Sequence, residues 1–286
     1  MENFETLQQP TKPGRESPKS RLVIENLDPD DHLLKLFPGI VKEHVARYTF
    51  AAKYFNNLRT APNNSDVVVD LASGRGYGSD ILKKILGNQA TVIGIEIGKA
   101  YTNKAAEKYS KNLNKSPDFI QADVRNVPLP EGCANFVTAF EITEHLPQKD
   151  QARFLKDSVA RILKPGGVAL ISVPMRYSFR MKGNHIMRSG ASSNPHHLYE
   201  PTPDEMREYI RNAGLVITGE FGQVIVSKSS ADKVVHLSRF FPLLPIYAWM
   251  LPRDRTVKHL EDINKVPLTY VFVTAKPSDQ SILTKK

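Results

Sequence analysis

One stretch constrains the fold of this chain more than any other: Val67-Val-Val-Asp-Leu-Ala-Ser-Gly-Arg-Gly-Tyr-Gly78. Three β-branched residues run into an acid, glycines stand at 74, 76 and 78, and Ser79 to Leu86 carries a helical pattern. β-Branched side chains favour a strand. Glycines let the backbone turn sharply and let a ligand lie against it without a Cβ clash. Strand, tight turn and helix start together form the nucleotide-binding corner of a doubly wound α/β sheet. The spacing of the loop then separates two kinds of ligand. A dinucleotide loop, G-x-G-x-x-G, places its third glycine at 79, where Ser79 stands; here the third glycine is Gly78. A pyrophosphate draws on helix-start N–H groups, whereas a carboxylate such as Asp70 suits a ligand that carries a cationic amino group.

Further acids follow at strand ends. The next strand, Thr91 to Glu96, ends in a carboxylate that can accept both hydroxyls of a ribose. A third, Asp118 to Ala122, leads into Asp123-Val124, and a fourth, Ala134 to Phe140, runs into Glu141-Ile-Thr-Glu-His-Leu-Pro147. Then come a helix, Gln148 to Leu163, the turn Lys164-Pro-Gly-Gly167 and a fifth strand, Val168 to Val173. Leu215 to Phe221 reads as strand six and Leu268 to Ala275 as strand seven. This succession resembles the class I S-adenosylmethionine (SAM) methyltransferases, with Asp70 to Gly78 similar to their motif I. The resemblance implies a Rossmann-like sheet of seven strands in the order 3-2-1-4-5-7-6, strand 7 antiparallel. It also implies SAM as cofactor. Asp70, Ala72, Ser73, Gly74 and Gly76 would form the loop beneath it, Glu96 and Ile97 the ribose site, and Asp123 and Val124 the adenine site. Glu141 would face the methionyl part.

Four segments resemble a narrower group, the methyltransferases found with bacterial polysaccharide and glycan assembly. Glu43-His-Val-Ala-Arg-Tyr-Thr-Phe-Ala51 is similar to E-H-x-x-R-Y-x-F-A, and Asp70 to Ser79 to D-x-A-C-G-x-G-Y-G-S. Phe140 to Leu146 is similar to F-E-x-x-E-H-L, and Asn194 to Glu200 to N-P-F-H-x-x-E. By this resemblance Arg47 pairs with the SAM carboxylate, and Tyr48 sits beside it in a helix that covers the cofactor. The chain departs from the pattern at Ser73, His196, Pro201 and Ser172-Val-Pro-Met-Arg176. Apart from Ser73, these fall on the substrate side.

Methylation of a hydroxyl requires removal of its proton, so a general base is expected. His145, just after strand four on the carboxyl edge of the sheet, is the first candidate. His197, in the Asn-Pro-x-His pattern, is the second, and Glu144 could orient either. Spacing assembles no metal site. The expected function is O-methylation of a small-molecule or glycan-linked acceptor. The alternatives are an apolar lipid or quinone-type substrate, a nucleic acid, or SAM binding without catalysis.

Composition and organisation bound the rest. With 286 residues and 41% hydrophobic content, one domain over 29–276 is expected, between a disordered tail (1–28) and a loose one (277–286). Apolar residues Val41, Val45, Tyr48, Ala52 and Phe55 recur at helical spacing before the sheet. The single cysteine, Cys133, excludes an internal disulfide. The formal charge of +9 comes from scattered basic residues with no aromatic-interleaved stripe, which disfavours nucleic acid as partner. No apolar run approaches the roughly 20 residues of a membrane span, and no signal-peptide pattern opens the chain, so a cytoplasmic enzyme is expected. An insert, 222–267, separates strands six and seven. Its apolar, arginine-flanked stretch 238–255 suits peripheral contact with anionic lipid. The oligomeric state stays open.

Overall fold

The computed structural model describes residues 38–59, 66–111, 116–174, 180–181, 184–185, 196–227, 256–260 and 265–278. The expectations for the tail 1–28, for 175–179, 182–183 and 186–195, for 228–255 with its basic-aromatic stretch, and for the chain end beyond 278 lie outside the described residues. Strand β1 (Asp66–Leu71) pairs in parallel with β2 (Ala90–Glu96) on one side and β4 (Ala134–Phe140) on the other. β3 (Asp118–Gln121) adds to β2, and β5 (Leu163–Pro174) to β4. β10 (Lys265–Ala275) runs antiparallel between β5 and β8 (Val216–Ser227). The order β3-β2-β1-β4-β5-β10-β8 is the expected one, with its single reversal.

A short eighth strand adds to the expected seven. The two residues of β9 (Lys258–His259), from within the insert, pair with Phe221 and Gly222 at the sheet edge. The insert therefore returns to cover part of an edge whose N–H and C=O groups would otherwise lack ladder partners. Two residues each from β6 (Arg180–Met181) and β7 (Asn184–His185) form a separate small ladder. Lys164 to Gly167, expected as a turn before β5, lies within it: the register shifts between Ala134 and Phe136 and absorbs the extra residues as a bulge.

Period-two alternation along the strands builds two apolar layers. Val69, Val137, Ile171 and Phe272 face one side, with α4 (Gln148–Phe154) and α5 (Pro203–Asn212) against them. The helical path of α4 continues, widened to π geometry, over Leu155–Ala160. On the other side Val68, Phe136, Leu170 and Val271 meet α1 (Pro38–Leu58) and α2 (Tyr77–Leu86). α3 (Lys99–Tyr109) follows β2. The inner face of α1 is Tyr48, Ala51, Ala52 and Phe55, spaced for one helical face. Phe55 stacks on Phe136 with ring centroids 4.7 Å apart. Gly78 lies in the first turn of α2, not in the loop before it, and a Cβ there would stand 2.1 Å from the Tyr48 ring. The third glycine of the loop motif thus makes room for the covering helix.

Candidate active site

The carboxyl ends of β1, β2, β3 and β4 converge on one edge, as in other doubly wound sheets. The chain leaves β1 through Ala72, in left-handed conformation at φ 59°, and turns through Gly74 and Gly76 (φ 54° and 81°) into α2. Glu96, at the end of β2, accepts hydrogen bonds from the Gly74 N–H (3.0 Å) and the Gly98 N–H (2.8 Å). One carboxylate therefore ties the β1 loop to the β2 loop. Ile97, next to it, is 60% exposed, an unusual amount for a large apolar side chain at the rim of a sheet.

Asp70 is fully buried. Its oxygens accept from Ser79 (2.7 Å), Thr138 (2.8 Å) and Tyr48 (3.2 Å). Burial pushes its pKa up to about 6 in spite of these donors. Its carboxylate joins β1, β4, α1 and α2 beneath the loop. Asp123 is held by Arg125 through both the backbone N–H and the guanidinium, which lowers its pKa. An open groove lined by Asp123, Arg125, Asp150, Arg153 and Phe154 runs beside it, and Val124 is buried. Arg47 is buried too, ion-paired with Glu141 at the end of β4 and donating to Ser172 of β5. Glu141, like Ala72, has a left-handed backbone (φ 51°).

The candidate bases come together beyond Glu141. Leu198 and Tyr199 donate their N–H groups to the Glu144 carbonyl at 2.8 and 3.2 Å. Gln151, buried on α4, donates to the carbonyls of Thr143 (2.8 Å), Leu146 (3.2 Å) and Tyr199 (2.7 Å). These bonds strap 196–200 across the β4 exit, with the rings of His145 and His197 at 5.0 Å and nearly perpendicular. His145 Nδ1 donates to the His196 carbonyl (3.2 Å), and His197 Nδ1 to Glu200 (2.7 Å). Those bonds leave Nε2 as the basic nitrogen of each ring. Glu144 is 1% exposed, and neither carboxylate oxygen has a hydrogen-bond donor. Burial and the nearby Glu141 raise its pKa well above the carboxylate range. Ligand atoms of Glu144, His145 and His197 lie within 4.8 Å of one another, a grouping that sequence spacing did not assemble.

Residues 68–167 match the family model described as a methyltransferase domain. Over 155 residues the chain is 28% identical to a probable S-adenosylmethionine-dependent methyltransferase of Mycolicibacterium smegmatis, covering 54% of each protein. Over 173 residues it is 28% identical to a similarly named protein of Mycobacterium tuberculosis, covering 60% of this chain and 57% of the relative. The matched residues are similar to a methyltransferase domain, and the names of these relatives give S-adenosylmethionine as the methyl donor. The chain spans little more than half the length of these curated relatives. In fold it is similar to a SAM-dependent methyltransferase from Aquifex aeolicus, with a TM-score of 0.51 and 15% identity over 91% of this chain and 100% of the other.

The residues at this edge fit SAM, the methyl donor in the names of these relatives. Glu96 uses one lone pair on each oxygen for the loops and keeps the others for a ribose diol. Exposed Ile97 offers an apolar surface to an adenine face. Arg47 and Glu141 supply adjacent opposite charges, the complement of an amino acid zwitterion. Asp70 lies beneath the loop, where three side-chain donors converge on it, and the Asp123 carboxylate is engaged by Arg125. Gln151, the residue that fixes the strap, is a functional residue that no motif marks.

Proposed function

We propose that this protein transfers a methyl group from SAM to a hydroxyl of a small-molecule or glycan-linked acceptor in the cytoplasm. The observation that carries this reading is the meeting of two basic imidazole nitrogens and a buried carboxyl at the exit of β4, next to the Arg47–Glu141 pair. SAM, when bound, supplies an electrophilic methyl group on a sulfonium. The chain's own residues do the rest. Glu96 fixes the two loops that receive the ribose. Arg47 and Glu141 orient the charged methionyl end. His145 Nε2 takes the hydroxyl proton, and His197, braced by Glu200, shares it across the ring pair.

The glycan-linked acceptor class rests on the resemblance of Asn194 to Glu200 to N-P-F-H-x-x-E. Two measurements test the whole reading. Calorimetry should show binding of SAM and of its demethylated product; no heat with either would sink it. Methyl-labelled SAM incubated with extracts should yield a methyl ether by mass spectrometry. His145→Ala should lower turnover by about 10²-fold with SAM affinity intact, and unchanged turnover would remove His145 as the base.

A further inference from the structure

We infer that Glu144, His145 and His197 form a binding site for a divalent first-row transition ion such as Zn²⁺ or Mn²⁺. Two histidine nitrogens and one carboxylate oxygen make a three-ligand set that leaves positions open for water or substrate oxygen. Ligand atoms around a tetrahedral ion at about 2.0–2.1 Å stand about 3.4 Å from one another. The ligand atoms all lie within 4.8 Å of one another, so an ion would need to draw them together by no more than about 1.4 Å.

Glu144 provides a second, independent observation. It is 1% exposed, and neither oxygen meets a donor, although buried polar groups are as a rule satisfied. The backbone places it there rigidly. Its carbonyl receives Leu198 and Tyr199, so the strap that delivers His197 is anchored on the residue that carries the carboxylate. The outer shell is also that of a metal site. Ligating histidines commonly donate the other ring N–H to a carboxylate or a backbone carbonyl. His197 donates Nδ1–H to Glu200 and His145 donates to the His196 carbonyl, which leaves Nε2 of each ring as the nitrogen for an ion. A divalent ion would supply the positive charge that Glu144 lacks, since Arg47 is committed to Glu141 and Ser172. The site stands on this geometry alone. Its role, polarising the acceptor hydroxyl through an open position, rests on the hydroxyl reading above and would stand in place of proton uptake by His145, whose lone pair the ion would occupy.

The test uses the full chain without a histidine tag, stripped by chelator and titrated with ZnCl₂ and MnCl₂ in separate calorimetry runs. One equivalent of at least one ion should bind and stay bound through gel filtration, as measured by elemental analysis. Glu200→Gln should weaken binding about 10- to 100-fold by loosening His197, and His145→Gln combined with His197→Gln should abolish it. Failure of the wild-type chain to retain any ion would overturn the site, and so would equal affinity in a folded double variant. If the double variant does not fold, Co²⁺ added to the wild-type chain decides: visible absorption of a low-coordinate Co²⁺ supports the site, and a hexa-aquo spectrum overturns it. SAM calorimetry is a separate measurement, so the cofactor reading and the metal site can fail independently.

Discussion

At the scale of single residues, the site is built on groups held under electrostatic or conformational tension. Ala72 and Glu141 both adopt positive φ at strand ends, a conformation costing roughly 1–2 kcal/mol for residues with a Cβ. Strain of this kind collects where the backbone must aim a functional group. Asp70 is the clearest electrostatic case. Its folded pKa of about 6 lies above its ordinary 3.8, so the native state binds the proton more tightly than the unfolded chain. Its contribution is fully present below pH 4 and is lost as pH rises through 6, a change of about 3 kcal/mol. Replacing it with an uncharged isostere removes that loss. Denaturant melts of wild type and Asp70→Asn between pH 4 and 7.5 should show the variant gaining relative stability as pH rises. A stability difference independent of pH would show that the carboxyl is ionised throughout.

At the scale of elements, the exit of β4 and the strap 196–200 act as one unit, and Gln151 is what joins them. One side-chain amide serves carbonyls of Thr143, Leu146 and Tyr199. Gln151→Leu keeps the volume and leaves those carbonyls short of a donor, at a cost of about 1–3 kcal/mol. The loss should be local. Hydrogen exchange of the Leu198 and Tyr199 amides, which donate to Glu144, should quicken while β1 and β4 stay protected. Unchanged exchange at those two amides would mean that the backbone bonds hold the strap alone. This unit also shows where the sequence stops being legible. The strand order could be read because each strand announces itself locally, by β-branched alternation and a terminal acid. Glu96 and Ile97 follow from that order, since a residue just past a parallel strand must lie on the ligand edge. The meeting of His197 with Glu144 and His145 could not be derived that way. It depends on a return of the chain from about fifty residues away, guided by one glutamine that reads as an ordinary helix residue. Asp70 was legible as a strand-end acid, but its three donors come from α1, α2 and β4, so its burial is a tertiary fact. β9 escaped notice because two residues carry no periodicity.

At the scale of the whole molecule, the helix preceding the matched domain is part of the core. The family match begins at residue 68, yet α1 supplies Arg47 to the site and Tyr48 to Asp70. Its Ala51, Ala52 and Phe55 are as buried as the central strands. Gln223 of β8 donates to the Glu43 carbonyl (2.7 Å), and Phe50 packs on Phe221, ring centroids 5.0 Å apart. α1 is thus bound to both the middle and the edge of the sheet. A helix that served as a lid would have to expose this apolar face at every opening. Burial of large side chains is worth about 1.5–3 kcal/mol each, which makes such opening about as costly as unfolding. Amides of Ala51, Ala52 and Phe55 should therefore exchange only through global unfolding, with the same free energy as Val69 in β1 and Val137 in β4. Amides of the strap should exchange through smaller openings. Saturating SAM should raise the protection of α1 and of the strands by the same amount, since a ligand of the native state stabilises everything that opens only globally. Fast exchange along α1 in the free protein, suppressed by SAM, would instead mark it as a moving cover. The strap, not the helix, is then the element expected to move when substrate enters.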